Sequence, residues 1–241
     1  TGPAAIGHVR YASGGDTATI NAQPLVITHA SGSMAVCYNG RLVNADELRR
    51  ETENRGGIFQ SSNSAEVIAY LLVRERMRAG TIEDAIINAM QYMVGAYSVV
   101  VLTQGKLVAF RDPNGFRPLC IGEVDGSIMF ASESCAFPVL GGHLIREVEP
   151  GEVVVVQDGQ VQSIRDNCQG KSHMCIFEYI YFARPDSIIA GQSVHQARVN
   201  AGRLLARQNT VPADVVVGVP DSGLDAARGY ALESGLPNVM G

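Results

Sequence analysis

The sequence predicts a mixed α and β chain of two unequal parts. The first is an α+β region of stacked antiparallel sheets covered by helices; the second is the opening of an α/β region. Three observations predict this. Short apolar runs separated by turn residues crowd the first two-thirds of the chain. Three helical patterns follow one another among them. Near the C-terminal end, Val216-Val217-Gly218-Val219-Pro220-Asp221-Ser222-Gly223 joins an apolar run to a tight turn, and a helix pattern follows over Leu224 to Glu233. That is strand–turn–helix grammar. The free N–H groups of the turn and the positive end of the helix dipole make such a turn an anion site, most often for phosphate. A parallel α/β sheet needs several such units to bury itself. Because the sequence ends at Gly241, one element later, the chain is expected to be a piece of something longer.

Taken in order, Ala5 to Tyr11 reads as a strand. Leu25 to His29 and Met34 to Tyr38 read as a hairpin across Ser31-Gly32-Ser33. Asn44 opens a helix, with Glu47 three residues on as a capping box, and Gly56-Gly57 closes it. A second helix opens near Ser64, carries the stripe Val67, Ile68, Leu71 and Leu72, and is closed by Gly80. A third opens at Thr81 with Ile86, Ile87 and Met90 inward. Strands are then expected over Tyr97 to Leu102, Leu107 to Arg111, Leu119 to Glu123 and Ile128 to Ala131. Val153 to Gln157 and Gln160 to Ile164 flank Asp158-Gly159, the strongest hairpin signal in the chain. The polar, glycine-containing stretch Asp166 to His173 reads as a linker, which places a boundary near residue 170 and divides the chain into 1–170 and 171–241. Beyond it come Ile176 to Phe182, then a helix over Ser193 to Gln208 with Val194, Ala197, Ala201, Leu204 and Leu205 inward.

Composition excludes several classes. Of 241 residues, 46% are hydrophobic and 18% charged, enough for a buried core and unlike a disordered chain. The net charge of −5, with no basic run denser than the interrupted Arg74 to Arg78, argues against nucleic acid as a partner. No apolar run approaches the ~18 residues of a membrane span, and the start lacks the pattern of a signal peptide. Five scattered cysteines without CxxC spacing read as reduced thiols, which makes a cytoplasmic location the expectation.

Several segments resemble the amidophosphoribosyltransferase family, glutamine-dependent enzymes that open purine synthesis. They are Gly7-His8-Val9-Arg10-Tyr11, Ala22-Gln23-Pro24, Asn39-Gly40, Asp112-Pro113-Asn114-Gly115-Phe116-Arg117-Pro118-Leu119, Ala131-Ser132-Glu133-Ser134-Cys135-Ala136, Glu147 to Glu152, Phe177 to Ser187, and Val219-Pro220-Asp221-Ser222-Gly223. They occur in family order from end to end. Phe177 to Ser187 together with Val219 to Gly223 is the specific pair, since related glutaminases share only the early motifs. The resemblance implies a class II glutaminase of N-terminal-nucleophile fold, an αββα sandwich, followed by the start of a type I phosphoribosyltransferase domain. It implies glutamine and phosphoribosyl pyrophosphate as substrates, Mg2+ with the diphosphate, a homo-oligomer (dimer or tetramer), and in some members a 4Fe-4S cluster.

Carried over residue by residue, Arg10 would hold the glutamine carboxylate, for which a guanidinium fork is suited. Asn39 and Gly40 would form the oxyanion hole, where each pre-aimed donor is worth ~3–4 kcal/mol to the transition state. The competing reading of the pair is an ordinary Asn-Gly turn. Ser64 stands where the family has an aspartate for the substrate amino group, and a helix N-cap is the preferred reading. Tyr38 and Arg41 stand where His and Asn are usual. Asp221, Ser222 and Gly223 match the pyrophosphate-binding turn, with Asp221 either meeting bridging magnesium or capping the helix. Cys175 matches a cluster ligand, with a buried structural thiol as the competing reading. Asp112 to Gly115 reads as a β-turn, with Arg117 a structural residue beside it. Thr1 stands mid-motif and is rejected as nucleophile. The catalytic cysteine implied by the family is absent from the 241 residues, so this chain alone is expected to show neither activity. Two alternatives compete: another class II amidotransferase, and a nucleophile-less paralogue serving as a binding or regulatory subunit.

Overall fold

A computed structural model of the chain describes residues 4–11, 17–30 and 32–241. Its elements are, in order, β1 (Leu25–His29), β2 (Gly32–Leu42), α1 (Ala45–Asn54), α2 (Ser64–Arg76), α3 (Ile82–Met90), β3 (Gly95–Thr103), β4 (Lys106–Arg111), β5 (Cys120–Val124), β6 (Ser127–Ala131), α4 (Ala136–Val139), β7 (His143–Glu147), β8 (Val153–Gln157), β9 (Gln160–Ile164), β10 (Ile188–Ile189), β11 (Gln192–Ser193), α5 (Val194–Gln208), β12 (Val216–Val217), α6 (Gly223–Ser234) and β13 (Asn238–Val239). Two compact units contain them. One runs up to Leu119 and includes Val148–His173; the other comprises Cys120–Glu147 and Met174–Gly241.

The first unit is built on a six-stranded sheet in the order β1-β2-β3-β4-β8-β9, antiparallel throughout. Strand side chains alternate between faces. Val36 and Tyr38 of β2, Tyr97, Val99 and Val101 of β3, Phe110 of β4, and Val153 and Val155 of β8 therefore share one face. They pack there in one core with Ile68, Leu71, Leu72 and Ile86 of α2 and α3. Burying each of these large side chains contributes about 1.5–3 kcal/mol. The Asp158-Gly159 hairpin forms with both residues at positive φ, as a two-residue turn between twisted strands requires.

The second unit holds the antiparallel sheet β6-β5-β7, the β10–β11 hairpin, and a parallel pair β12–β13 linked through α6. Its chain segments are joined by polar side chains, Ser134 and Arg198 of them buried. Ser134 Oγ accepts from the Ile188 N–H at 2.7 Å, and Glu133 Oε2 accepts from the Arg184 N–H at 2.8 Å and the Ser187 hydroxyl at 2.7 Å. Buried Arg198 donates to the carbonyls of Tyr179 and Ala183. These ties hold Cys120–Glu147 in the second unit, although the sequence division runs near residue 170.

The structure departs from the sequence expectations at several places. Residues 4–11 form no strand, because their backbone joins no ladder at either edge of the six-stranded sheet. Asn44 occupies the N-cap of α1 but makes no capping bond. Its amide instead donates to the Tyr92 carbonyl at 2.9 Å and accepts from the Val94 N–H at 3.1 Å, bracing α1 against the entry to β3. The α2 cap is Asn63, whose Oδ1 accepts from the Ala65 N–H at 2.9 Å, so Ser64 is the first helical residue and not the cap. The buried face of α5 is Val194, Arg198, Val199, Gly202 and Ala206, while Leu204 and Leu205 are exposed. The reason is a pair of glycines: a Cβ on Gly202 would stand 1.9 Å from the Ala226 carbonyl of α6, and one on Gly229 2.0 Å from the Val199 carbonyl of α5. Backbones this close seat the helices on their small residues, and the leucine stripe turns away. Finally, α4 and β7 were not expected; β7 (His-Leu-Ile-Arg-Glu) is half polar and half exposed, as suits an edge strand. Among the described residues no helix is long and apolar enough to cross a membrane.

Candidate active site

The candidate site lies at the end of β2. The β1–β2 ladder ends at Leu25↔Val36. Next would come Pro24, which has no N–H to give and follows a cis Gln23–Pro24 bond. The Gln23 side chain takes over. Its Oε1 accepts from the Tyr38 N–H at 2.6 Å and its Nε2 donates to the Tyr38 carbonyl at 3.2 Å. In an antiparallel strand the N–H and C=O of one residue point to the same edge, and the next residue of the strand points to the other. Tyr38 and Gly40 thus face the same edge, and β1 has left that edge before Gly40 is reached. The Gly40 N–H points there with no β1 residue opposite it. Only glycine serves at this position: φ is +149°, and a Cβ would lie 2.0 Å from the Ala96 carbonyl oxygen.

Asn39 projects on the sheet face opposite the helices. It stands across from Ser98, which stands across from Arg111. This polar row is pinned from behind. Arg111, 2% exposed, donates to the carbonyls of Arg117 (2.6 Å), Val148 (2.8 Å) and Gly115 (2.8 Å). The Ser98 hydroxyl lies 3.2 Å from the Arg117 carbonyl and 3.1 Å from that of Pro118. The Arg117 guanidinium then reaches forward, and its Nη2 donates to Asn39 Oδ1 at 3.2 Å. The turn beneath is the expected one, closed by the Gly115 N–H on the Asp112 carbonyl. The fully buried Asp112 carboxylate accepts from the N–H groups of Tyr97, Asn114 and Phe116.

Arg10 is carried by irregular chain that crosses the same face. The Cys37 thiol donates to the Gly7 carbonyl at 3.6 Å, and Cys37 and Asn39, two apart on β2, share that face. Arg10 is half-buried. Burial, and then the Arg10 charge, lower the pKa of His8 below its ordinary 6.5. Burial pushes the Cys37 thiol up to about 11, which keeps it protonated and a poor nucleophile at neutral pH. Tyr38, one of the two departures flanking the pair, turns its ring into the helix-covered core and is 6% exposed; that departure is absorbed by packing. Arg41 is exposed.

The remaining candidates lie apart. Ser64 begins α2, and its neighbours Ser62 and Asn63 bond Asn21, two residues before Gln23; this chain of contacts is its link to β2. In the second unit, Asp221 is exposed in the turn between β12 and α6, and Ser222 and Gly223 are half-buried beside it. Ser222, not Asp221, stands at the N-cap, and it makes no side-chain cap bond. The Gly223 N–H is engaged by the Val219 carbonyl at 3.1 Å and that of Leu224 by Asp221 at 3.3 Å. Cys175 is a half-buried free thiol. Among the described residues no group of three or more His, Cys, Asp or Glu is placed to hold a metal ion. Thr1 lies outside the described residues. Sequence reasoning missed Gln23 and Arg117 as site-builders. Both lie in motifs it singled out, but nothing local shows that a side chain 15 or 78 positions away is their partner.

Comparison with known proteins identifies the family. Residues 8–138 match the glutamine amidotransferase domain family. The chain is 45% identical over 240 residues to the amidophosphoribosyltransferase of Archaeoglobus fulgidus, covering 100% of this chain and 52% of that protein. It is 45% identical to that of Bacillus subtilis, covering 100% and 50%. The solved glutamine phosphoribosylpyrophosphate amidotransferase from B. subtilis, complexed with ADP and GMP, superposes with a TM-score of 0.88 at 44% identity, covering 97% of this chain and 50% of that one. A structure described as the allosteric regulatory enzyme of purine biosynthesis gives 0.90 at 44%, with the same coverage. The chain thus spans about half the length of the curated relatives it matches.

Proposed function

This chain belongs to the glutamine amidotransferase domain family and has the class II, N-terminal-nucleophile fold, and from that premise we propose that it is the glutaminase part, with the first elements of the transferase part, of an amidophosphoribosyltransferase. The observation that carries the reading is the end of β2. There a glycine N–H is turned to an edge vacated by its neighbour strand, next to an asparagine amide whose oxygen is already engaged by Arg117. Hydrolysis of glutamine's side-chain amide builds negative charge on the carbonyl oxygen as a thiolate adds, and two donors fixed beforehand stabilise that charge without reorganising. Arg10, on chain crossing the same face, takes the substrate carboxylate as a charged fork. In this reading the acylating thiol is the N-terminal cysteine that the family implies.

In the second unit, the Asp221-Ser222-Gly223 turn at the N-terminus of α6 takes the diphosphate of phosphoribosyl pyrophosphate. The exposed Asp221 carboxylate suits Mg2+, which binds through one or two carboxylates and otherwise keeps water and phosphate oxygens. Released ammonia displaces pyrophosphate to give phosphoribosylamine. The working protein is a cytoplasmic homo-oligomer in this reading. The test uses the whole gene product with glutamine, phosphoribosyl pyrophosphate and Mg2+. Glutamate and pyrophosphate are expected in equal amounts. Glutamate without pyrophosphate would keep the amidotransferase and reject the acceptor; neither product would favour a nucleophile-less paralogue, the reading to which the uncharged Ser64 points.

A further inference from the structure

Arg117 sits behind the proposed oxyanion donors, and its contacts are one-directional. A guanidinium has five N–H donors and no acceptor, so the Asn39 atom 3.2 Å from Arg117 Nη2 has to be the amide oxygen. An asparagine amide has two nearly isosteric orientations separated by a half-turn. One offers the Nδ2 hydrogens to an incoming carbonyl oxygen. The other offers a lone pair, which repels it. Arg117 is compatible with the first only.

The backbone of Arg117 is held as firmly as its side chain is aimed. Its carbonyl accepts from buried Arg111 Nε at 2.6 Å and lies 3.2 Å from the Ser98 hydroxyl. Arg111 and Ser98 belong to β4 and β3, in register with Asn39 on β2. The relay therefore closes on itself: the row of side chains across three strands fixes the Arg117 backbone, and Arg117 fixes the far end of that row. We propose that Arg117 is a positioning residue for the glutaminase half-reaction, locking the Asn39 amide with its N–H2 toward the substrate carbonyl. This rests on Asn39 being an oxyanion donor, and the test separates the two.

The experiment is a double-mutant cycle on the whole gene product, read as glutamate release at varied glutamine. Asn39→Ala measures the donor itself. Arg117→Met removes the lock while keeping the stem. The expected result is a fall in kcat of about 10- to 100-fold for Arg117→Met with KM for glutamine changed less than about threefold, because an oxyanion donor acts in the transition state. Arg117→Lys, which keeps one donor, is expected to recover most of the rate. In Asn39→Ala the Arg117→Met change should add almost nothing, since no amide remains to orient; a merely structural arginine would cost the same in both backgrounds. Full additivity, or an undiminished kcat in Arg117→Met, overturns the proposal. If Asn39→Ala itself leaves kcat unchanged, the oxyanion reading fails and the proposal with it. Should Arg117→Met not fold, Arg117→Lys and Arg117→Gln run through the same cycle and are judged by the same two criteria.

Discussion

At the scale of single residues, Gly40 is the least replaceable position in the site. Its φ of +149° and the 2.0 Å approach of a would-be Cβ to the Ala96 carbonyl mean that any side chain must push β2 off β3. Gly40→Ala should destabilise the protein by about 2–4 kcal/mol and abolish glutaminase activity, checked by denaturant unfolding beside the assay. His8 has a pH consequence whose sign follows from its surroundings. Its folded pKa lies below 6.5 through burial and Arg10, so the folded state binds fewer protons than the unfolded one once pH drops below 6.5. Stability is intact above that value and declines as pH falls through 6.5 toward the folded pKa. Unfolding free energies at pH 7.5 and 5 should show that loss, and His8→Gln should flatten it. The sequence displayed these residues more clearly than their roles. Arg10, Asn39 and Gly40 stood out through motifs that resemble the amidophosphoribosyltransferase family; taken alone, the Asn-Gly pair reads as an ordinary turn. Gln23 and Arg117 did not, because their function is a contact made across the fold.

At the scale of elements, legibility followed local chemistry. The Asp158-Gly159 hairpin and the Thr81 cap of α3, whose hydroxyl accepts from the Asp84 N–H at 3.1 Å, formed where turn and cap residues demanded them. Elements defined by a distant partner were misjudged. The apolar run at residues 5–11 has strand composition but no ladder to join, and Asn44 gave up its capping bond for residues 92 and 94. The face of α5 was decided by Gly229, a residue on another helix. Gly202→Ala, with a Cβ 1.9 Å from the Ala226 carbonyl, should force α5 and α6 apart at a cost of about 1–3 kcal/mol. Thermal unfolding of the whole gene product would register this as an early transition in the second unit, with no loss of glutamine hydrolysis at temperatures below it.

At the scale of the whole chain, the proposed function assigns one chemistry to each of the two units. In that proposal the first would supply fixed donors and a guanidinium for an amino-acid amide. The second would supply a strand–turn–helix for a diphosphate. Their division in sequence is not a single cut, since Glu133 and Ser134 fasten residues 120–147 to residues 184–188 of the second unit. No local composition marks such a return, which is why a linker-like stretch near residue 170 stood out and the earlier crossing did not. The central claim is that Asn39 and Gly40 stabilise developing negative charge on the glutamine carbonyl. The most direct measurement is glutamine hydrolysis by Asn39→Ala in the whole gene product. A loss of about 10²–10³ in kcat at little-changed KM is the predicted result; hydrolysis at the parent rate, or a loss confined to KM, would contradict it.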